Sequence, residues 1–191
     1  MKRGVNSLAA YRQAILFSVK FILLFLLFYL GSFALIGVTA PGGYYIPFVA
    51  KYLDYISWLK FSLIKGASVV AALFGYTTVE EPGFILRVKD GLEIFIARDC
   101  VGFGVMSFWA AFILATTMHS LKQKIFWLFT GLILLWLINV LRIGLFLVAR
   151  NRAWDMPLSL DHHTWFTIFA YGAIFLMIYF FEKRMKNEQI R

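Results

Sequence analysis

Long apolar runs constrain this chain more than any other feature. The stretch "AILFSVKFILLFLLFYLGSFALIGV", about residues 14–38, holds one charge in its whole length. Three further runs lie at about 101–118, 125–148 and 164–181. At a rise of about 1.5 Å per residue, each covers most or all of a ~30 Å hydrocarbon layer. The 191 residues are 61% hydrophobic and only 15% charged, too greasy for a soluble domain of this length. The composition therefore predicts an all-α integral membrane protein: one polytopic domain, residues 1–191, with about four transmembrane helices and the lipid bilayer as its first partner.

The net charge of +9 raises the question of nucleic acid. Its distribution argues against that partner. Cations cluster at the ends of apolar runs, and no basic stripe with interleaved aromatics is present, so they read as topology signals. The first run is too long for the apolar part of a cleavable signal peptide, and none is expected. Lys2, Arg3 and Arg12 precede the first run; Lys122 and Lys124 fill the loop "HSLKQK"; Lys183, Arg184, Lys186 and Arg191 follow the last. The positive-inside rule places all three regions in the cytoplasm.

Residues 39–100 then begin and end outside, so they contain either no span or two. The one candidate there, about 56–75, carries Lys60 and Lys65, which are expensive in lipid. The reading with no span makes 42–75 interfacial helices. Tyr45, Phe48, Val49, Tyr52, Ile56, Leu59 and Leu63 form the apolar face, opposite Lys51, Asp54 and Lys60. After "EEPG" the period changes to two. "FILRV" and "LEIFIA" alternate around Asp90-Gly91, which predicts a short extracytoplasmic β-hairpin with a two-residue turn.

This topology gathers unusual residues at the outer face. Cys100 is the chain's one cysteine, so no intramolecular disulfide exists, and it stands at the head of the second span. Asn139 and Arg142 are three residues apart and share a helical face in the third span. The loop before the last span ends in Asp161, His162 and His163. A thiolate is a strong nucleophile, an imidazole can take a thiol proton and return it to a leaving amine, and a guanidinium can stabilise an oxyanion or bind a carboxylate. Gly102 and Gly104 leave space beside the thiol for a peptide backbone. His119 falls at the cytoplasmic end and reads as a loop residue.

Each residue also has a plainer role. Cys100 can be a packing residue, Arg142 a cation that snorkels to the outer interface or pairs with an acid such as Asp99 or Asp161, and the His pair a helix cap. Those roles together describe a non-enzymatic membrane scaffold or a small transport subunit. Cys100, Asp161, His162 and His163 are also possible metal ligands. No HExxH is present, and a haem held through His119 would need ligands at opposite membrane faces, so neither metal nor cofactor is expected.

Cys-x-Gly heading one span, Asn-x-x-Arg late in another, and a His heading a last span resemble the exosortase/archaeosortase family of membrane transpeptidases. Here the motifs are Cys100-Val101-Gly102, Asn139-Val140-Leu141-Arg142 and His163, and the resemblance covers roughly Phe84 to Phe180. Members often carry Ser or Thr where this chain has Val101, and many are longer. The resemblance implies a cysteine peptidase in a prokaryotic cell membrane. Such an enzyme cuts the C-terminal sorting signal of an exported protein at the extracytoplasmic face, with release coupled in some members to transfer onto an acceptor. By the resemblance, Cys100 is the nucleophile, His163 the general base and acid, and Arg142 the transition-state stabiliser; Gly102, Asn139, Asp161 and His162 support them. Consecutive helical residues point about 100° apart, so only one of the two histidines can face the thiol squarely. His163 has Thr167 and Ala170 on its face, against the bulkier Trp165 and Phe169 for His162, and the reading favours His163.

Overall fold

The computed structural model describes residues 2–39, 44–116, 120–154 and 162–189. Six helices occur among them: α1 Lys2–Thr39, α2 Pro47–Tyr52, α3 Tyr55–Leu73, α4 Phe103–Ala115, α5 Leu121–Asn151 and α6 His162–Gln189. Strands β1 Thr78–Glu81, β2 Ile85–Val88 and β3 Glu93–Phe95 form a small antiparallel sheet, and a 3-10 turn at Arg98–Val101 leads from it to α4. The chain is thus a helical membrane protein with one short sheet. Tyr11–Thr39, Pro47–Leu73 and Leu121–Asn151 are long and apolar enough to cross a bilayer. The run 164–181 lies within the continuous α6.

Three elements depart in detail from the expectation. Among its described residues, the run 101–118 contributes a 13-residue helix, roughly 20 Å long, which starts after Val101 in the 3-10 turn and Gly102, left-handed at φ +77°. Lys122 and Lys124 sit inside α5 rather than in a loop, and the Lys124 ammonium donates back to the Thr116 carbonyl. The stretch 42–75 breaks at Leu53, after which Asp54 caps α3 by accepting the Ser57 N–H at 3.1 Å. By length and composition this stretch is able to cross the bilayer as well as to lie on it.

The chain divides into two compact units, residues 1–53 with 103–132, and residues 54–102 with 133–191. In the first, α1 packs on α4 through aromatic rings. Phe17, Phe21, Phe25 and Tyr29 recur every four residues and stack along α1 at 5.5–6.2 Å between centroids. Phe112, Phe108 and Phe103 of α4 meet them, with Phe108 edge-on to Phe21 at 5.2 Å. A side chain at Gly104 would touch the Tyr29 ring, its Cβ 3.4 Å away, so this glycine serves helix packing. Trp109 is fully buried and donates its indole N–H to the Trp127 carbonyl at 3.2 Å.

The second unit contains the sheet, α3, the later part of α5, and α6. Its core combines Leu63, Ala67 and Ala71 of α3 with Leu86, Ile94 and Ile96 of the sheet and Leu147 and Val148 of α5. The expected hairpin is present, with Ile85 opposite Phe95 and Arg87 opposite Glu93. Its turn holds three residues rather than two: the Val88 N–H donates to the Leu92 carbonyl, and Asp90, not Gly91, takes the positive φ of 62°. Gly91 is needed for space, since a Cβ there would stand 2.4 Å from Asn151 Oδ1. A third strand, β1, pairs with β2, and Arg87 bridges Glu81 and Glu93 across the sheet. Lys65 finds Glu80 of β1 at 2.7 Å, which accounts for one of the two lysines in the apolar stretch.

Lys60 accounts for itself differently. The sequence pattern sets it on the solvent face, yet it is 7% exposed. Ile56, Lys60 and Leu63 stand at i, i+4 and i+7, which makes them one stripe, and this is the buried stripe of α3.

Candidate functional site

β3 ends at Phe95, and Ile96 is buried and donates its N–H to the Phe84 carbonyl at 2.9 Å, so the chain leaves the sheet under restraint. The 3-10 turn follows, closed by the Cys100 N–H donating to the Ala97 carbonyl at 3.1 Å. Cys100 is half-buried in this turn, while Val101 beside it is fully buried. Such a turn leaves carbonyls that no helix partner satisfies.

Asn139 satisfies them. Its side-chain N–H₂ donates to the Cys100 carbonyl at 2.8 Å and to the Val101 carbonyl at 2.9 Å, and the residue is 6% exposed. A primary amide has two hydrogens to give, and both are used. Gly102 completes the arrangement. It adopts a left-handed conformation that other residues disfavour, and its missing Cβ would stand 3.3 Å from Asn139 Nδ2. The turn and its clamp thus account for the glycine beside the thiol.

Arg142 follows Asn139 by three residues on α5 and is half-buried. It lines a cavity of about 670 Å³ with Ile138 and Leu145 of α5 and Phe169, Gly172 and Leu176 of α6. Among the described residues, no carboxylate lies within ion-pair distance of its guanidinium. A strong five-donor cation on an otherwise apolar wall is suited to hold an anion or an oxyanion there.

The structure therefore joins Cys100, Gly102 and Asn139 directly and puts Arg142 one turn along the same helix. Asp161 lies outside the described residues. The backbone of α6 begins at His162, and the side chains of Asp99, His162 and His163 lie outside the description too. His119 does as well. Lys60 is the residue near this site whose face the sequence pattern misplaced; its spacing joins it to Ile56 and Leu63 without saying which stripe is buried.

A half-buried cysteine turn clamped to a helix lies in a chain with several helices able to cross a bilayer, which makes this a multi-pass membrane protein. A family model described as transmembrane exosortase (Exosortase_EpsH) matches residues 5–181, and the chain belongs to that family. No curated protein and no solved structure matches it. Membership makes the protein one of a family of membrane cysteine-type transpeptidases, with a general role in protein sorting.

Proposed function

We propose that this protein cleaves the C-terminal sorting signal of exported proteins at the outer face of a prokaryotic cell membrane. Cys100 is the nucleophile. His163 takes the thiol proton as the sulfur attacks the scissile carbonyl carbon, and Arg142 stabilises the oxyanion of the tetrahedral adduct. Collapse of the adduct breaks the C–N bond, and His163 returns the proton to the leaving amine, leaving a thioester on Cys100. An acceptor nucleophile, or water, then attacks the thioester and frees the thiol. Asn139 and Gly102 hold the turn, and Asp161 and His162 orient the histidine.

The observation that best supports this reading is the double hydrogen bond from Asn139 to the Cys100 turn. A merely packed cysteine needs no such restraint, whereas a nucleophile gains from a fixed position. The test is co-expression with an exported protein whose C-terminus carries a short motif, an apolar span and a basic tail. Cys100→Ala and His163→Ala should leave that protein uncut at normal enzyme abundance, and His162→Ala should retain at least part of the processing. Cleavage by Cys100→Ala would end the peptidase reading.

A further inference from the structure

Lys60 is a buried cation that the mechanism above does not use. It is 7% exposed, and its ammonium stands 4.5 Å from the centre of the Phe84 ring. Among the described residues, no carboxylate lies within ion-pair distance of it. Asp54, on the same helix terminus, is already engaged by Ser57, whose N–H donates at 3.1 Å and whose hydroxyl donates at 2.6 Å. Among the described residues, the ionisable groups that act on the ammonium include Arg98, Asp54 and Cys100. Arg98 is a second cation and is exposed.

Taking an ammonium out of water without an anion is unfavourable, and a contact with one aromatic face offsets only part of that. A buried cation with no carboxylate beside it among the described residues is therefore expected to meet a negative charge at some stage. The local construction says where. Phe84 lies beneath the ammonium, and its carbonyl accepts the Ile96 N–H, four residues before Cys100. The α3 helix that carries Lys60 packs against the 3-10 turn that carries the thiol.

We propose that Lys60 is an electrostatic positioning residue for Cys100, its buried ammonium serving as the counter-charge of the thiolate in the 3-10 turn. Lys60 exchanges no proton and forms no covalent bond. The thiol proton leaves to the base, and the ammonium attracts the sulfur anion that remains. This rests on Cys100 as nucleophile, but its test needs no turnover.

Cys100 is the chain's one thiol, so alkylation of the purified full-length protein in detergent reports on it alone. Iodoacetate and iodoacetamide each form an S–C bond and release iodide, but only iodoacetate is an anion. A neighbouring cation favours the anionic reagent, and a general loosening of the fold does not. The ratio of the two rates is thus a readout of charge. Lys60→Met should lower that ratio by about tenfold, and Lys60→Arg should keep it within about threefold of the native value. Lys60→Met should also keep or raise thermal stability, since an apolar side chain replaces a buried charge. Should Lys60→Met not accumulate, Lys60→Gln is read in the same way. A native ratio in the uncharged variant overturns the proposal. A lowered ratio together with full processing by Cys100→Ala would keep the Lys60–Cys100 coupling and remove only the peptidase reading.

Discussion

Asn139 does the work of two partners with one side chain, and its chemistry makes a sharp test. Replacing it by Asp keeps size and shape but removes both hydrogens, and the carboxylate then faces two carbonyl oxygens it can only repel. Leaving one buried and one part-buried acceptor unmatched costs about 2–5 kcal/mol. Asn139→Asp should therefore lower the thermal midpoint in detergent and make Cys100 react more readily with thiol reagents, and unchanged values would remove the clamp. Arg142 is tested by a conservative change. A lysine offers a point charge without the planar fork. Arg142→Lys should process substrate nearly as poorly as Arg142→Ala, at least tenfold below the native rate. Recovery by the lysine variant would show that the position needs only a cation. Both residues were visible in the sequence because polar side chains within an apolar helix demand a partner or a purpose. Their division of labour was not, since spacing puts them on one face without saying what each meets.

Glycines on α3 and α5 sit where these two helices approach each other. A Cβ on Gly66 would stand 2.7 Å from the Val140 methyls, and one on Gly144 would stand 2.5 Å from Val70 Cβ and 3.2 Å from the Ala67 carbonyl oxygen. Small residues at such crossings let helices pack backbone to backbone. A polar tie accompanies them, the Trp136 indole N–H donating to the Ser62 hydroxyl at 3.0 Å. At the far end of α5, Asn151 Oδ1 accepts the Leu92 N–H at 2.8 Å and so fastens the hairpin turn to the helix. Helix propensity alone expects Gly144→Ala to stabilise α5 by up to about 1 kcal/mol. The crossing reverses the sign: overpacking costs about 1–3 kcal/mol, so the variant should melt earlier in detergent. Gly31→Ala in α1 is the control, because its added methyl meets nothing within 4 Å, and it should be neutral or stabilising. A stabilised Gly144→Ala would mean that α3 and α5 are not in contact there.

For the whole molecule the membrane decides what counts as outside. Only 11% of the most apolar stretch of Tyr11–Thr39 is buried within the protein, so most of that helix is free to meet lipid. Basic residues flank the apolar runs at Lys2, Arg3 and Arg12, at Lys122 and Lys124, and beyond Phe181. On the orientation these residues favour, an impermeant maleimide added to intact cells should label Cys100; labelling only after the cytoplasmic side is opened would invert the topology and the site with it. What the sequence by itself determined was everything that depends on period and composition: the membrane class, the long helices, the β2–β3 pairing, and the few polar residues that an apolar helix has to justify. Those features are local, so a short window of residues contains their cause. The tertiary structure alone decided that Lys60 lies inside, that Gly102 serves a left-handed turn and the Asn139 amide, and that β1 completes the sheet. Each of these is set by an atom from a segment distant in sequence or by a backbone angle. Solvent-face and buried-face lysines look alike until the neighbouring surface exists.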